Sequence, residues 1–154
     1  MQRSIALVAL ATCFLAVPVW AIPGVGEFYA GGGARTYGGF PGQPAASYMG
    51  TVEVGLDDVV AKLGAGLRLD VPKSLQPGLA LELRYSILSL PFFRLLGGVS
   101  GGAFKGGDAW AKTYSAFLGA RISLGLPYVG ASVGLQGVEK DMAGFGALTV
   151  GIVL

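Results

Sequence analysis

The sequence predicts an all-β chain, an eight-stranded antiparallel up-and-down transmembrane β-barrel preceded by a cleavable signal peptide. Three observations predict it. Apolar residues alternate with polar or small ones at every second position through most of the chain, which is the periodicity of strands with two different faces. The composition is 53% hydrophobic but only 13% charged, about half the charged share usual for a soluble domain. The pieces joining the alternating segments are long and short in turn. Beyond the first 21 residues no stretch reaches the roughly 18 uninterrupted apolar residues of a spanning helix.

Residues 1–21 read as the signal peptide. Gln2 and Arg3 give a short polar, positive start, Ile5 to Val19 is apolar, and Val19-Trp20-Ala21 is an acceptable cleavage site. A membrane anchor is the competing reading, opposed by Pro18 and by the lack of a positive stop after the run. Cys13 is the one cysteine and falls inside the leader; "LATC" resembles a lipoprotein box only loosely, because Thr12 fits poorly before the cysteine. The remainder, 22–154, is one β-barrel domain without a thiol, so no disulfide and no cysteine-ligated metal is expected. With Arg3 removed its formal charge is +1, ten positives against nine negatives, which gives no electrostatic reason to seek nucleic acid.

Eight segments follow in order. Residues 27–36 contain "GGGART", a thin glycine-rich strand rather than a dinucleotide fingerprint, since no βαβ unit surrounds it. Residues 47–56 carry Glu53 between valines. Residues 61–71 ("AKLGAGLRLDV") and 78–88 ("GLALELRYSIL") alternate clearly. Residues 93–104 follow, then 113–126, whose Tyr114, Ala116, Leu118, Ala120, Ile122, Leu124 and Leu126 make one apolar face. Residues 128–137 are glycine-rich on one face, and 144–154 end on Leu148, Val150, Ile152 and Leu154. Lengths near ten residues suit a tilted strand crossing a bilayer. The long connections are "TYGGFPGQPAA", "PKSLQP", "KGGDAWAK" and "VEKDMAG"; the short ones are "DDVV", "SLPF" and "LPY". Long loops on one side, tight turns on the other and an even strand number are the bacterial outer-membrane arrangement.

The aliphatic face is expected against lipid. The opposite face is mostly Gly, Ala and Ser (Gly64, Gly66, Gly98, Gly102, Gly119, Gly130 and Gly134), which suits a crowded interior better than a solvated surface. Tyr37, Tyr48 and Tyr114 toward the long loops, and Phe28, Phe92, Phe93 and Tyr128 toward the short turns, stand where interfacial girdles are expected. A secreted soluble β-barrel is the alternative. The inner face then carries Arg35, Glu53, Lys62, Arg68, Asp70, Glu82, Arg84, Arg94 and Arg121, six positives against three negatives. Pairing about the 72–77 loop brings Arg68 to Glu82, with Arg84 beside both. Pairing about Asp57-Asp58, read as a tight turn, brings Glu53 near Lys62. Glu53, Lys62, Arg68, Glu82, Arg84, Arg94 and Arg121 form the expected lumen network; Arg35, Asp70, Tyr37, Phe40 and Trp110 are the candidates for the outer rim.

No catalytic site is expected. Gly98-Val99-Ser100-Gly101-Gly102 and Gly130-Ala131-Ser132-Val133-Gly134 match G-x-S-x-G, but the nucleophile elbow needs a strand-to-helix turn and a histidine base. The chain has no histidine, and both matches lie inside alternating strands. "GGVSGGAFKGG" lacks the Gly-Lys-Ser/Thr ending of a P-loop. Asp57-Asp58 is better explained as a turn than as a cation site, and no metal or cofactor is expected.

Strand number, loop asymmetry and alternation over residues 24–154 resemble the small eight-stranded outer-membrane barrels formed by the OmpA transmembrane domain and by OmpX- and OmpW-like proteins. The resemblance implies outer-membrane lipid as the surroundings, a β-barrel assembly machinery as the partner during biogenesis, both termini in the periplasm and a salt-bridged interior. The final strand departs from that pattern by ending in leucine rather than an aromatic residue. A monomer is expected. Three roles remain open in the sequence: a structural barrel with a lumen closed by charged pairs, a narrow anion-leaning pore set by Arg68, Arg84 and Arg121, and a surface binding protein acting through its loops.

Overall fold

The computed structural model describes residues 26–38, 46–72, 77–106, 109–138 and 141–154; the expected signal peptide lies outside them. Every element among them is a strand: β1 Glu27–Gly38, β2 Ala46–Val60, β3 Leu63–Pro72, β4 Gly78–Leu90, β5 Phe93–Gly106, β6 Ala109–Ser123, β7 Pro127–Val138 and β8 Asp141–Val153. Each pairs antiparallel with its neighbour in sequence, and β8 pairs with β1 from Tyr29↔Val153 to Tyr37↔Phe145, closing the sheet. Closure leaves no edge strand with unpaired backbone groups, the condition for a sheet to stand in hydrocarbon.

β4 decides which face is inside. Leu79, Leu81 and Leu83 are 54%, 56% and 54% exposed, whereas Ala80, Glu82, Arg84 and Ser86 are 3%, 2%, 5% and 1% exposed. The leucines face outward and the charges inward, the reverse of a soluble barrel. The same parity holds around the wall, with Leu67, Val99, Leu118, Val129, Val133 and Leu148 exposed. Such a contiguous apolar exterior is far larger than the few hundred Å² a soluble monomer tolerates.

The strands run further than alternation alone marks. β5 and β6 continue through most of "KGGDAWAK", leaving 107–108 between them, and β7 and β8 leave only 139–140. The expected contrast between long and short connections therefore survives only at 39–45 and 73–77. At the other end the turns are Ala61-Lys62, Pro91-Phe92 and the bend at 124–126. Asp57-Asp58 is not a turn. β2 passes through both residues with an irregular register between Leu56 and Val60, and the chain reverses at Ala61 (φ 48°) and Lys62 (φ 69°). Two consecutive positive φ values are those of a type I′ hairpin turn, whose twist matches that of the flanking strands.

Candidate functional site: the lumen

Inward-facing residues fill the barrel in two linked clusters. The upper one starts from the register of β3 and β4, in which Arg68 lies opposite Ala80 and so diagonal to Glu82, within reach of a long side chain. Arg68 Nη1 donates to Glu82 Oε1, and Arg68 Nε donates to both carboxylate oxygens of Asp70 at 3.1 Å. Arg84 donates to Glu82 Oε2 from Nη2 at 2.6 Å and from Nε at 3.0 Å, and Nη2 also reaches Glu53 Oε2 at 2.7 Å. Tyr128 donates its hydroxyl proton to Glu53 Oε1 at 2.9 Å. The result is an unbroken chain from Asp70 through Arg68, Glu82, Arg84 and Glu53 to Tyr128, all at least nine-tenths buried.

The lower cluster, at the short-turn end, is centred on Asp57. Arg121 Nη1 lies 2.5 Å from Asp57 Oδ2, and Arg94 Nη1 lies 3.4 Å from the same oxygen. Arg94 Nη2 also meets Glu27 at 2.8 Å and Asp58 at 3.0 Å. Aromatic rings join the two clusters: Tyr29 lies 4.3 Å from the Arg84 guanidinium and 4.7 Å from that of Arg121, which is also 4.6 Å from Tyr128. Cation–π contacts of this kind strengthen when desolvated.

The glycines of the inner face act as sockets for these rings. A methyl at Gly66 or Gly55 would overlap the Tyr29 hydroxyl, one at Gly31 would overlap that of Tyr128, and one at Gly98 would press on Phe117. Small residues thus allow large ones opposite them in a barrel only wide enough for its own side chains.

Of the network residues expected from sequence, Glu53, Arg68, Glu82, Arg84, Arg94 and Arg121 come together in the lumen. Lys62 does not. Because the chain turns at Ala61-Lys62 rather than at Asp57-Asp58, Glu53 lies opposite Arg68 and Lys62 is exposed in the turn. Arg35 and Asp70 are inside the barrel rather than on its rim, at 2% and 6% exposure, with Arg35 stacked 3.5 Å from the Phe145 ring centroid. Trp110 is exposed on β6 near the loop end. Tyr37 sits in β1, but its side chain, like all of Phe40, lies outside what is described. Among the girdle candidates Tyr48, Tyr114 and Phe92 face outward, while Tyr128 faces the lumen.

The inward residues that escape the sequence reading include Glu27, Tyr29, Thr51, Asp57, Gln136 and Phe145. Parity marks each of them. Asp57 is four positions from Glu53, Glu27 and Tyr29 share the parity of Arg35, and Phe145 alternates with Leu148 and Val150. Taking out Lys62 and adding Glu27, Asp57 and Asp58 leaves five arginines against six carboxylates among the described residues of the lumen and its lower mouth. The positive excess expected of the inner face disappears.

No family model matches the chain, and no curated protein does. Among solved structures, Ail, the attachment invasion locus protein of Yersinia pestis, solved in complex with the heparin analogue sucrose octasulfate, is similar in fold. The TM-score is 0.53 at 12% identity, over 84% of this chain and 99% of that one. Ail is an eight-stranded outer-membrane barrel. This chain has the fold of an outer-membrane β-barrel. The closed eight-stranded antiparallel sheet is the architecture the two share.

Proposed function

We propose that this chain is an integral outer-membrane barrel whose role is structural, with a lumen closed by its own paired side chains. The observation that carries the reading is the continuous Asp70–Arg68–Glu82–Arg84–Glu53–Tyr128 chain spanning the lumen, with the Arg121–Asp57–Arg94 cluster stacked beneath it. An ion crossing the barrel would have to shed water and separate buried, hydrogen-bonded charges, and each broken pair of this kind costs about 3–5 kcal/mol. The pore reading loses its main support, since the acids of the lower cluster offset the arginines that were to select anions. The surface-binding reading is weakened by two connections at the loop end that span only two residues each.

Planar-bilayer recording of the refolded protein tests the proposal. No steady conductance above the lipid background is expected; a stable, reproducible single-channel current would refute closure. An SDS gel of the detergent-extracted membrane fraction, with and without boiling, tests the barrel in the membrane. Heat-dependent mobility in that fraction is expected, and a soluble protein without the shift would overturn the localisation.

A further inference from the structure

Against the upper ion-pair cluster the lumen keeps a cavity of about 50 Å³, whose wall includes four arginines, Arg35, Arg68, Arg84 and Arg121, and two carboxylates, Glu53 and Glu82. Both carboxylates are already engaged. Glu53 accepts from Arg84 and Tyr128, and Glu82 accepts from Arg68 and Arg84. The cavity therefore offers a cation little unshared negative charge. Arg68, Arg84 and Arg121 are engaged with carboxylates too, but four guanidinium groups against two carboxylates leave this wall net positive, and the Thr51 hydroxyl in it, 4% exposed, has no hydrogen-bond partner. A buried hydroxyl without a partner is itself a sign of an unseen group. Leu96, Phe117 and Phe145 complete the wall with apolar surface, which strengthens electrostatic attraction by displacing water.

We propose that this cavity is a binding site for one small monovalent anion of halide size, held by the Thr51 hydroxyl and the surrounding guanidinium groups. At roughly 10–15 Å³ for each water, the space accommodates about three to five waters, or one halide retaining part of its hydration shell. A phosphate or sulfonate ester would not fit. The inference rests on the closed-lumen reading, since an open pore would pass the ion instead of holding it.

The test uses the full chain refolded in a nonionic detergent, with sodium bromide titrated against sodium gluconate at constant ionic strength. Barrel melting is followed by circular dichroism. Bromide is expected to raise Tm to a plateau that gluconate, too large for the cavity, does not produce, since a ligand bound only to the folded state stabilises it by mass action. Thr51→Val, which keeps the shape and removes the donor, should weaken half-saturation about tenfold or more, the worth of a hydrogen bond to a charged group. An identical response to both salts, or an unchanged half-saturation in Thr51→Val, would overturn the site. Should that variant fail to refold, bromide-soaked crystals of the parent decide: an anomalous peak beside Thr51 supports the site, and none refutes it. Bilayer recording in bromide separates this proposal from the last. A steady current would refute closure and the anion site with it, whereas silence without the saturable Tm rise would refute the anion site alone.

Discussion

Replacing Glu82 removes the acid that links the two arginines of the upper cluster. In the parent it accepts one bond from Arg68 and two from Arg84, the latter at 2.6 and 3.0 Å, at 2% exposure. Hydrogen bonds to charged groups contribute about 1.5–3 kcal/mol each, so three bonds give a gross upper bound of about 9 kcal/mol. Much of that is offset, because ionised Glu82 is itself expensive to bury. The net cost of breaking a buried pair, about 3–5 kcal/mol, is the better guide. Arg84 keeps Glu53 at 2.7 Å and Arg68 keeps Asp70 at 3.1 Å, so neither guanidinium is stranded. The expectation for Glu82→Ala is therefore the low end, about 3 kcal/mol.

Urea unfolding of the refolded barrel in lipid vesicles, followed by tryptophan fluorescence, measures it. In thermal terms a loss of that size corresponds to roughly 6–12 °C for a chain of this length. A double-mutant cycle with Arg68→Met isolates the pair, and a coupling of at least about 1 kcal/mol is expected for contacting charges. If Glu82→Ala unfolds within 0.5 kcal/mol of the parent, the range of ordinary surface substitutions, the buried chain of charges contributes nothing to stability and the argument for closure by ion pairs fails with it.

Three further outcomes follow from the geometry. Gly66→Ala should destabilise the barrel by roughly 1–3 kcal/mol through overpacking, because its methyl overlaps the Tyr29 hydroxyl; Tyr29→Phe should recover part of the loss in the same urea assay, and no recovery would place the strain elsewhere. Ala61→Asn combined with Lys62→Gly should stabilise by about 1 kcal/mol, since both positions have positive φ and those residues prefer it in a I′ turn; a loss of stability would refute the turn. Trp110, the only tryptophan after residue 21, should be quenched most by lipids brominated near the headgroup, whereas Leu118→Trp in a Trp110→Phe background should be quenched most by bromines near the chain ends. Equal quenching by both lipids would contradict the depth assigned to β6.

Alternation made the strands legible because it is enforced twice, by lipid on one face and by a narrow lumen on the other. A one-residue slip would carry Glu82 and Arg84 into hydrocarbon, so their parity with Gly64, Gly66 and Arg68 is strongly constrained. The ends of the strands are constrained far less. Lys105, Gly106 and Ala109 to Ala111 are compatible with loop by composition, yet they extend β5 and β6 as Gly106↔Ala109, Lys105↔Trp110 and Phe104↔Ala111. The β2–β3 turn is hidden for a related reason: Ala61-Lys62 carries none of the Gly, Asn or Asp that positive φ favours, while Asp57-Asp58 carries the signal and lies in a strand. That one misplaced turn accounts for the errors at Lys62, at Asp57 and in the charge balance of the lumen. Whether an aromatic ring at a strand end points to lipid or lumen follows from parity rather than from its place in a girdle, as Tyr128 and Tyr48 illustrate.

The two hub carboxylates, Glu53 and Asp57, are on the same strand, and this bears on what the network does for the barrel. Backbone hydrogen bonds join β2 only to β1 and β3, and they tolerate a range of cross-sections. Side chains join β2 to strands it does not pair with: Glu53 to Arg84 of β4 and Tyr128 of β7, and Asp57 to Arg94 of β5 and Arg121 of β6. Contacts across the lumen fix distances that the sheet alone leaves free, so β2 ties the far wall in place at two heights. Such contacts join residues 31 to 75 positions apart. The contact to Tyr128 can form only once β7 is in place, after most of the strands have been added, whereas that to Arg84 needs only β4. Loss of the Tyr128 contact should then be felt mainly as faster unfolding rather than slower strand assembly, because interactions absent from the transition state act on the unfolding rate. Removing the Tyr128 hydroxyl, by Tyr128→Phe, should accelerate unfolding while leaving the folding rate nearly unchanged, and a matching slowdown in folding would show that β2 meets the far wall early.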